Sequence, residues 1–96
     1  MDKTLGEIEK RKRLMDRLTS NLPILRAGIG ASQSIVAEKI GISRQTYNSI
    51  ETGKGEMKWT TFVALVAFFR SNEVTREMLT KMDDFNSEIE ETMELR

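Results

Sequence analysis

Apolar residues recur along this chain every three or four positions and almost never every second one. That is the period of an α-helix, and the alternating Val, Ile or Thr runs that mark strands are missing. Residues 4–18, TLGEIEKRKRLMDRL, predict a charged helix with Leu5, Ile8, Met15 and Leu18 as a thin apolar stripe. A second helix is expected from Ser20 or Asn21, both good N-caps, with Pro23 in its first turn and Leu22, Leu25 and Ile29 as its apolar residues. Gly28 and Gly30 interrupt that pattern. Ser32 caps a third helix that Gly41 ends after Ile40, and Ser43 caps a fourth that Gly53 ends after about Thr52. Trp59 to about Arg70 is apolar on nearly every side, which places that helix in the centre of the domain. Val74, Met78, Met82, Phe85, Ile89 and Met93 then form one more helical stripe, which DDFNSE at 83–88 can break in two.

The chain therefore reads as all-α, in three parts. Residues 1–18 form a charged N-terminal helical extension. Residues 19–72 form the main domain. Residues 73–96 form a helical tail for packing or dimerisation. Its 96 residues, 39% hydrophobic, allow a real but small core, which an oligomer interface would help to stabilise.

Composition narrows the chemistry. The chain has no Cys and no His, so disulfides, thiolate nucleophiles, the commonest general base and nearly every transition-metal site are excluded together. With no Gly-rich phosphate cradle either, we expect no enzyme, no cofactor and no metal. The longest apolar run, Phe62–Phe69, has eight residues, whereas a bilayer needs roughly 20. No signal peptide is visible, so a soluble cytoplasmic protein is expected. Net charge is zero but uneven. Residues 1–54 hold ten Lys/Arg and six Asp/Glu, giving +4, and residues 55–96 hold five and nine, giving −4. A basic half leaves room for a nucleic-acid face despite the neutral total.

The most informative stretch runs from Gln33 to Ile50. Two short helices joined by a few residues containing a glycine make a helix-turn-helix. Close crossing needs a small residue, and Ala37 supplies it. The turn needs a residue free to take positive φ, and Gly41 supplies it. Val36, Ile40, Ile42, Tyr47 and Ile50 are spaced to point inward. Arg44, Gln45, Asn48 and Ser49 must then face outward. These side chains suit directional bonding to base edges, Arg to guanine and Gln or Asn to adenine, whereas a merely solvated face more often carries Glu and Lys.

SQSIVAEKIGISRQTYNSIETGK, Ser32 to Lys54, closely resembles the helix-turn-helix core of the Cro/repressor-type, or XRE-type, family. The resemblance covers roughly residues 20–70. It implies a five-helix, lambda-repressor-like domain that binds double-stranded DNA as a homodimer and regulates transcription. It also implies site roles. Gln33 would contact a phosphate or base, Arg44, Gln45 and Ser49 would read bases, and Ser43, Thr46, Asn48, Thr52 and Lys54 would lie near phosphates. Arg26 and Glu51 occupy the positions of a structural ion pair. Three features depart from the family pattern: Pro23, the charged segment 1–18 and the acidic tail beyond Val74.

The expected function is a sequence-specific regulator, a repressor, reading the major groove with residues 43–52. The competing reading is an antitoxin or adaptor whose tail, residues 75–96, binds a protein partner. The basic cluster Lys10 to Arg13 has its own alternative as a phosphate-binding arm, although Glu7, Glu9 and Asp16 interleave with it.

Overall fold

The computed structural model describes residues 3–93, with side chains from Gly6 onward; Leu5 of the predicted stripe lies outside the described side chains. Six helices follow one another among the described residues: α1 (Lys3–Ile29), α2 (Gln33–Ile40), α3 (Arg44–Glu51), α4 (Trp59–Arg70), α5 (Glu73–Thr80) and α6 (Phe85–Met93).

The first two expected helices are one. α1 runs unbroken for 27 residues with Pro23 inside it. A proline there removes a ladder donor and costs about 3 kcal/mol. Packing outweighs that cost. Leu14, Leu18, Leu22 and Leu25 are all no more than 1% exposed. Burying each contributes roughly 1.5–3 kcal/mol, so the four together contribute roughly 6–12 kcal/mol and depend on one continuous helix. The expected caps bond backward instead. Ser20 Oγ donates to the Asp16 carbonyl at 3.1 Å, and Asn21 Nδ2 donates to the Arg17 carbonyl at 2.8 Å. The expected stripe is displaced as well: Ile8 is 57% exposed and Met15 only half-buried. At about 1.5 Å per residue α1 is roughly 40 Å long, and it sets the 42 Å long dimension of the molecule.

α1 is the spine. It packs against α3, α4, α5 and α6, while α2 packs against α3 and α4. α4 buries Phe62, Leu65, Val66 and Phe69. It is less enclosed than expected, because Ala67 is exposed. Trp59 stacks on Phe62 with ring centroids 4.7 Å apart, and Phe62 meets Phe85 of α6 edge-on at 6.3 Å.

The tail splits in two, as DDFNSE allows. Asn72 caps α5, its side-chain oxygen accepting from the Val74 and Thr75 amides. Asp84 takes φ 57° between α5 and α6, a left-handed conformation that Asp tolerates better than most residues. Phe85 and Ile89 are buried in the common core. The acids of α6 face the basic residues of α1: Glu88 pairs with Arg13 and Arg17, each at 3.3 Å, and Glu91 pairs with Lys10 at 3.5 Å. Lys12 pairs with Asp16, and Arg11 lies over the Trp59 ring. The basic cluster 10–13 is thus engaged by its own chain.

Candidate nucleic-acid interface

The turn between α2 and α3 sets the geometry. Gly41 follows α2 with φ 81° and ψ 31°. The Ile42 amide donates to the Ala37 carbonyl at 3.0 Å, and the Gly41 amide donates to Glu38 at 3.3 Å. This pair of bonds closes the end of α2 and reverses the chain. Ala37, 1% exposed, gives α3 room to cross, and Ile42 folds back onto the core. Ser43 then caps α3. Its Oγ accepts from the Thr46 amide at 3.0 Å and donates to Thr46 Oγ1 at 2.8 Å.

α3 is sharply two-faced. Tyr47 is 0% and Ile50 3% exposed. Arg44, Gln45, Thr46, Thr52 and Lys54 are exposed, and Asn48 and Ser49 are half-buried. At about 100° per residue, Arg44, Gln45, Asn48, Ser49 and Thr52 span a sector of roughly 140° facing away from the core. Among the described residues, no hydrogen bond engages the side chains of Arg44, Gln45 or Asn48. Thr46 flanks the sector rather than occupying it, and Thr52 Oγ1 donates to the Asn48 carbonyl at 2.8 Å. Lys54 is held where the chain leaves α3: its amide and that of Gly55 both donate to the Ser49 carbonyl at 2.9 Å.

Behind this face lies an ion pair. Glu51 accepts from Arg26 Nε and Nη2 at 2.8 Å each, from Tyr47 Oη at 2.8 Å and from Gln33 Nε2 at 2.9 Å. Arg26 Nη1 also donates to the Ala31 carbonyl at 3.1 Å, tying in the α1–α2 turn. Burial alone would raise the Glu51 carboxyl, but the donors Arg26, Gln33 and Tyr47 hold it below the usual carboxylate range. The same pair raises Arg26, chiefly through the Glu51 hydrogen bond. Burial, reinforced by Glu51, pushes the Tyr47 phenol well above its ordinary value.

Two roles in this network are not legible in the sequence. Tyr47 is core, as expected, but its hydroxyl is also a ligand of Glu51. The family resemblance gives Gln33 only an external contact, yet its amide nitrogen is tied to Glu51, leaving its carbonyl oxygen and second amide hydrogen for other partners. Only three-dimensional convergence brings positions 26, 33, 47 and 51 together. Among the described residues no group of three His, Cys, Asp or Glu could hold a metal ion, and no helix is long and apolar enough to cross a membrane.

A family model described as helix-turn-helix matches residues 25–81, from the last turns of α1 to just past α5 and over more than half of the chain. The chain belongs to the helix-turn-helix family of the Cro/XRE type. No curated protein and no solved structure matches it. As a helix-turn-helix protein of this type it is a DNA-binding regulator of transcription. In that family setting α3 is the second helix of the motif, the one that Ala37 and Gly41 hold against α2.

Proposed function

We propose that this helix-turn-helix protein is a sequence-specific repressor that binds its operator as a homodimer and reads the major groove with α3. One observation carries the proposal: Arg44 and Gln45 stand exposed on the helix whose opposite side buries Tyr47 and Ile50. Arg44, Gln45 and Ser49 reach base edges. Ser43, Thr46, Asn48, Thr52 and Lys54 lie along the phosphates, which orient the helix without specifying sequence. Gln33 meets the backbone through the groups that Glu51 leaves free. Residues 19–72 are the DNA-binding unit; of the extension 1–18 the described residues 3–18 continue its first helix, and of the tail 73–96 the described residues 73–93 complete the packing. Repression follows from occupying DNA that polymerase needs, in the cytoplasm.

An exposed apolar surface supports the second copy. Ile24 is 60% and Val74 50% exposed. Gly28, one helical turn beyond Ile24, packs on α5: a Cβ there would stand 2.8 Å from Met78 Sδ and 3.8 Å from Val74 Cγ1. Self-association through this face would cover side chains that otherwise meet water. A protein partner for residues 75–96 finds less to hold, because α6 directs Phe85 and Ile89 into the core and pairs Glu88 and Glu91 with α1.

Selection of bound DNA from a random pool tests the proposal. The expected product is a palindrome with half-sites about one helical turn, roughly 34–36 Å, apart. Failure to enrich any sequence would count against it. Sedimentation of Val74→Glu, expected to be monomeric, tests the dimer surface; an unchanged dimer would move the interface elsewhere.

A further inference from the structure

The chain has two glutamines, Gln33 and Gln45, and the fold holds them differently. Gln45 is exposed on α3, and its side chain makes no hydrogen bond among the described residues. Gln33, the first residue of α2, is half-buried, and its Nε2 donates to Glu51 Oε2 at 2.9 Å. Glu51 ends α3 and is itself fixed. It accepts from Arg26 Nε and Nη2 and from the Tyr47 hydroxyl, and its side chain is 7% exposed. An ionised carboxylate has no proton to give. Only the N–H end of the Gln33 amide can therefore face it, and turning the amide over would set oxygen against oxygen. One N–H remains on Nε2. A phosphate oxygen also accepts and does not donate, so that remaining N–H, and not Oε1, is the group that can meet the DNA backbone.

We propose that Glu51 is a positioning residue for DNA contact: it holds the Gln33 amide in one orientation, with the free N–H presented to an operator phosphate before DNA arrives. This role rests on the operator reading above and gives Glu51 a task beyond the stability of its ion pair. Glu51 belongs to the reading helix and Gln33 to the helix before it. Their bond therefore fixes a phosphate anchor on α2 in register with Arg44 and Gln45 on α3. A tethered amide gives up its rotamer freedom when the chain folds and has none left to lose when DNA binds. The ordering cost so avoided corresponds to about two- to tenfold in affinity.

Operator affinities of the native chain, Gln33→Ala, Glu51→Gln and the double variant form the test, at a temperature where circular dichroism shows every chain folded. Glu51→Gln lets the Gln33 amide turn over and should weaken binding about two- to tenfold. In the Gln33→Ala background the same substitution should change affinity by less than about twofold, because the group that Glu51 positions is gone. Equal losses in both backgrounds would mean that Glu51 acts on the fold alone and would overturn the proposal. A second measurement needs no variant. With isotope-labelled glutamine, nitrogen relaxation in the DNA-free native chain should show an ordered side-chain amide at Gln33 beside a mobile one at Gln45. Equal mobility of the two would overturn the proposal as well. A native chain that binds no operator overturns the operator reading and this role together. Operator binding with equal losses in the two backgrounds overturns this role alone.

Discussion

Glu51→Gln isolates the ion pair behind the DNA-facing helix. The substitution keeps the shape and removes one charge and one acceptor. In the native chain Oε1 accepts from Arg26 Nε and Tyr47, and Oε2 accepts from Arg26 Nη2 and Gln33. An amide in the same place turns one oxygen into a donor, which then opposes either Arg26 Nε or Nη2. The Tyr47 hydroxyl can rotate and the Gln33 amide can turn over, but the guanidinium has no acceptor to offer. The Glu51 side chain is 7% and that of Arg26 20% exposed, so water reaches Arg26 only in part. Breaking a buried pair from one side costs about 3–5 kcal/mol, and partial access to water favours the lower end, about 3 kcal/mol. For a chain of this size that lowers Tm by about 12–24 °C.

The same variant carries a pH signature. Glu51 titrates lower in the folded chain than in the unfolded one. Its contribution is therefore complete above the unfolded value, about 4.3, and disappears as pH falls through the folded value. Urea melts followed by far-UV circular dichroism, at neutral pH and in acid steps below about pH 4, should show a gap between native and Glu51→Gln chains that narrows on acidification. A gap under about 0.5 kcal/mol at neutral pH, within the range of ordinary surface changes, would refute the reasoning. A gap unchanged by acid would refute it too.

Three further outcomes are expected. Arg44→Ala and Gln45→Ala should leave the thermal transition in place, since both side chains are exposed, yet weaken binding to the selected operator by about 1–3 kcal/mol each, measured by fluorescence anisotropy. Affinity for that operator should fall linearly with the logarithm of salt, at about 0.9 of a logarithmic unit per phosphate contact; a flat titration would mean that Lys54 and its neighbours do not meet the backbone. Gly41→Ala should cost about 1–2 kcal/mol in a urea melt, because no atom lies within 4 Å of the new Cβ and only the φ of 81° resists it, while Gly41→Asn should cost less.

The helix-turn-helix was legible because its signals are local. Ser32 and Ser43 cap where such residues cap, and Gly41 and Gly53 end helices with positive φ. Tyr47 and Ile50 could be placed inward from spacing alone. The continuity of α1 is hidden for the opposite reason. Pro23, Ser20 and Asn21 each signal a helix start when weighed alone, and Leu14 does not stand out beside Met15. The line through positions 14, 18, 22 and 25 outweighs them, but only once a core exists for those leucines to enter. Arg11 on Trp59 and Gln33 on Glu51 join residues 48 and 18 positions apart, and no local pattern announces such contacts.

A loss-of-contact experiment tests the central claim most directly. Affinities of the native chain and of Arg44→Ala are measured against the selected operator and against variants with each base pair changed in turn. If Arg44 reads a base from the outward face of α3, one position per half-site should matter to the native chain and cease to matter to Arg44→Ala. If every base change costs both proteins the same, Arg44 does not read the sequence and the proposed use of α3 is wrong.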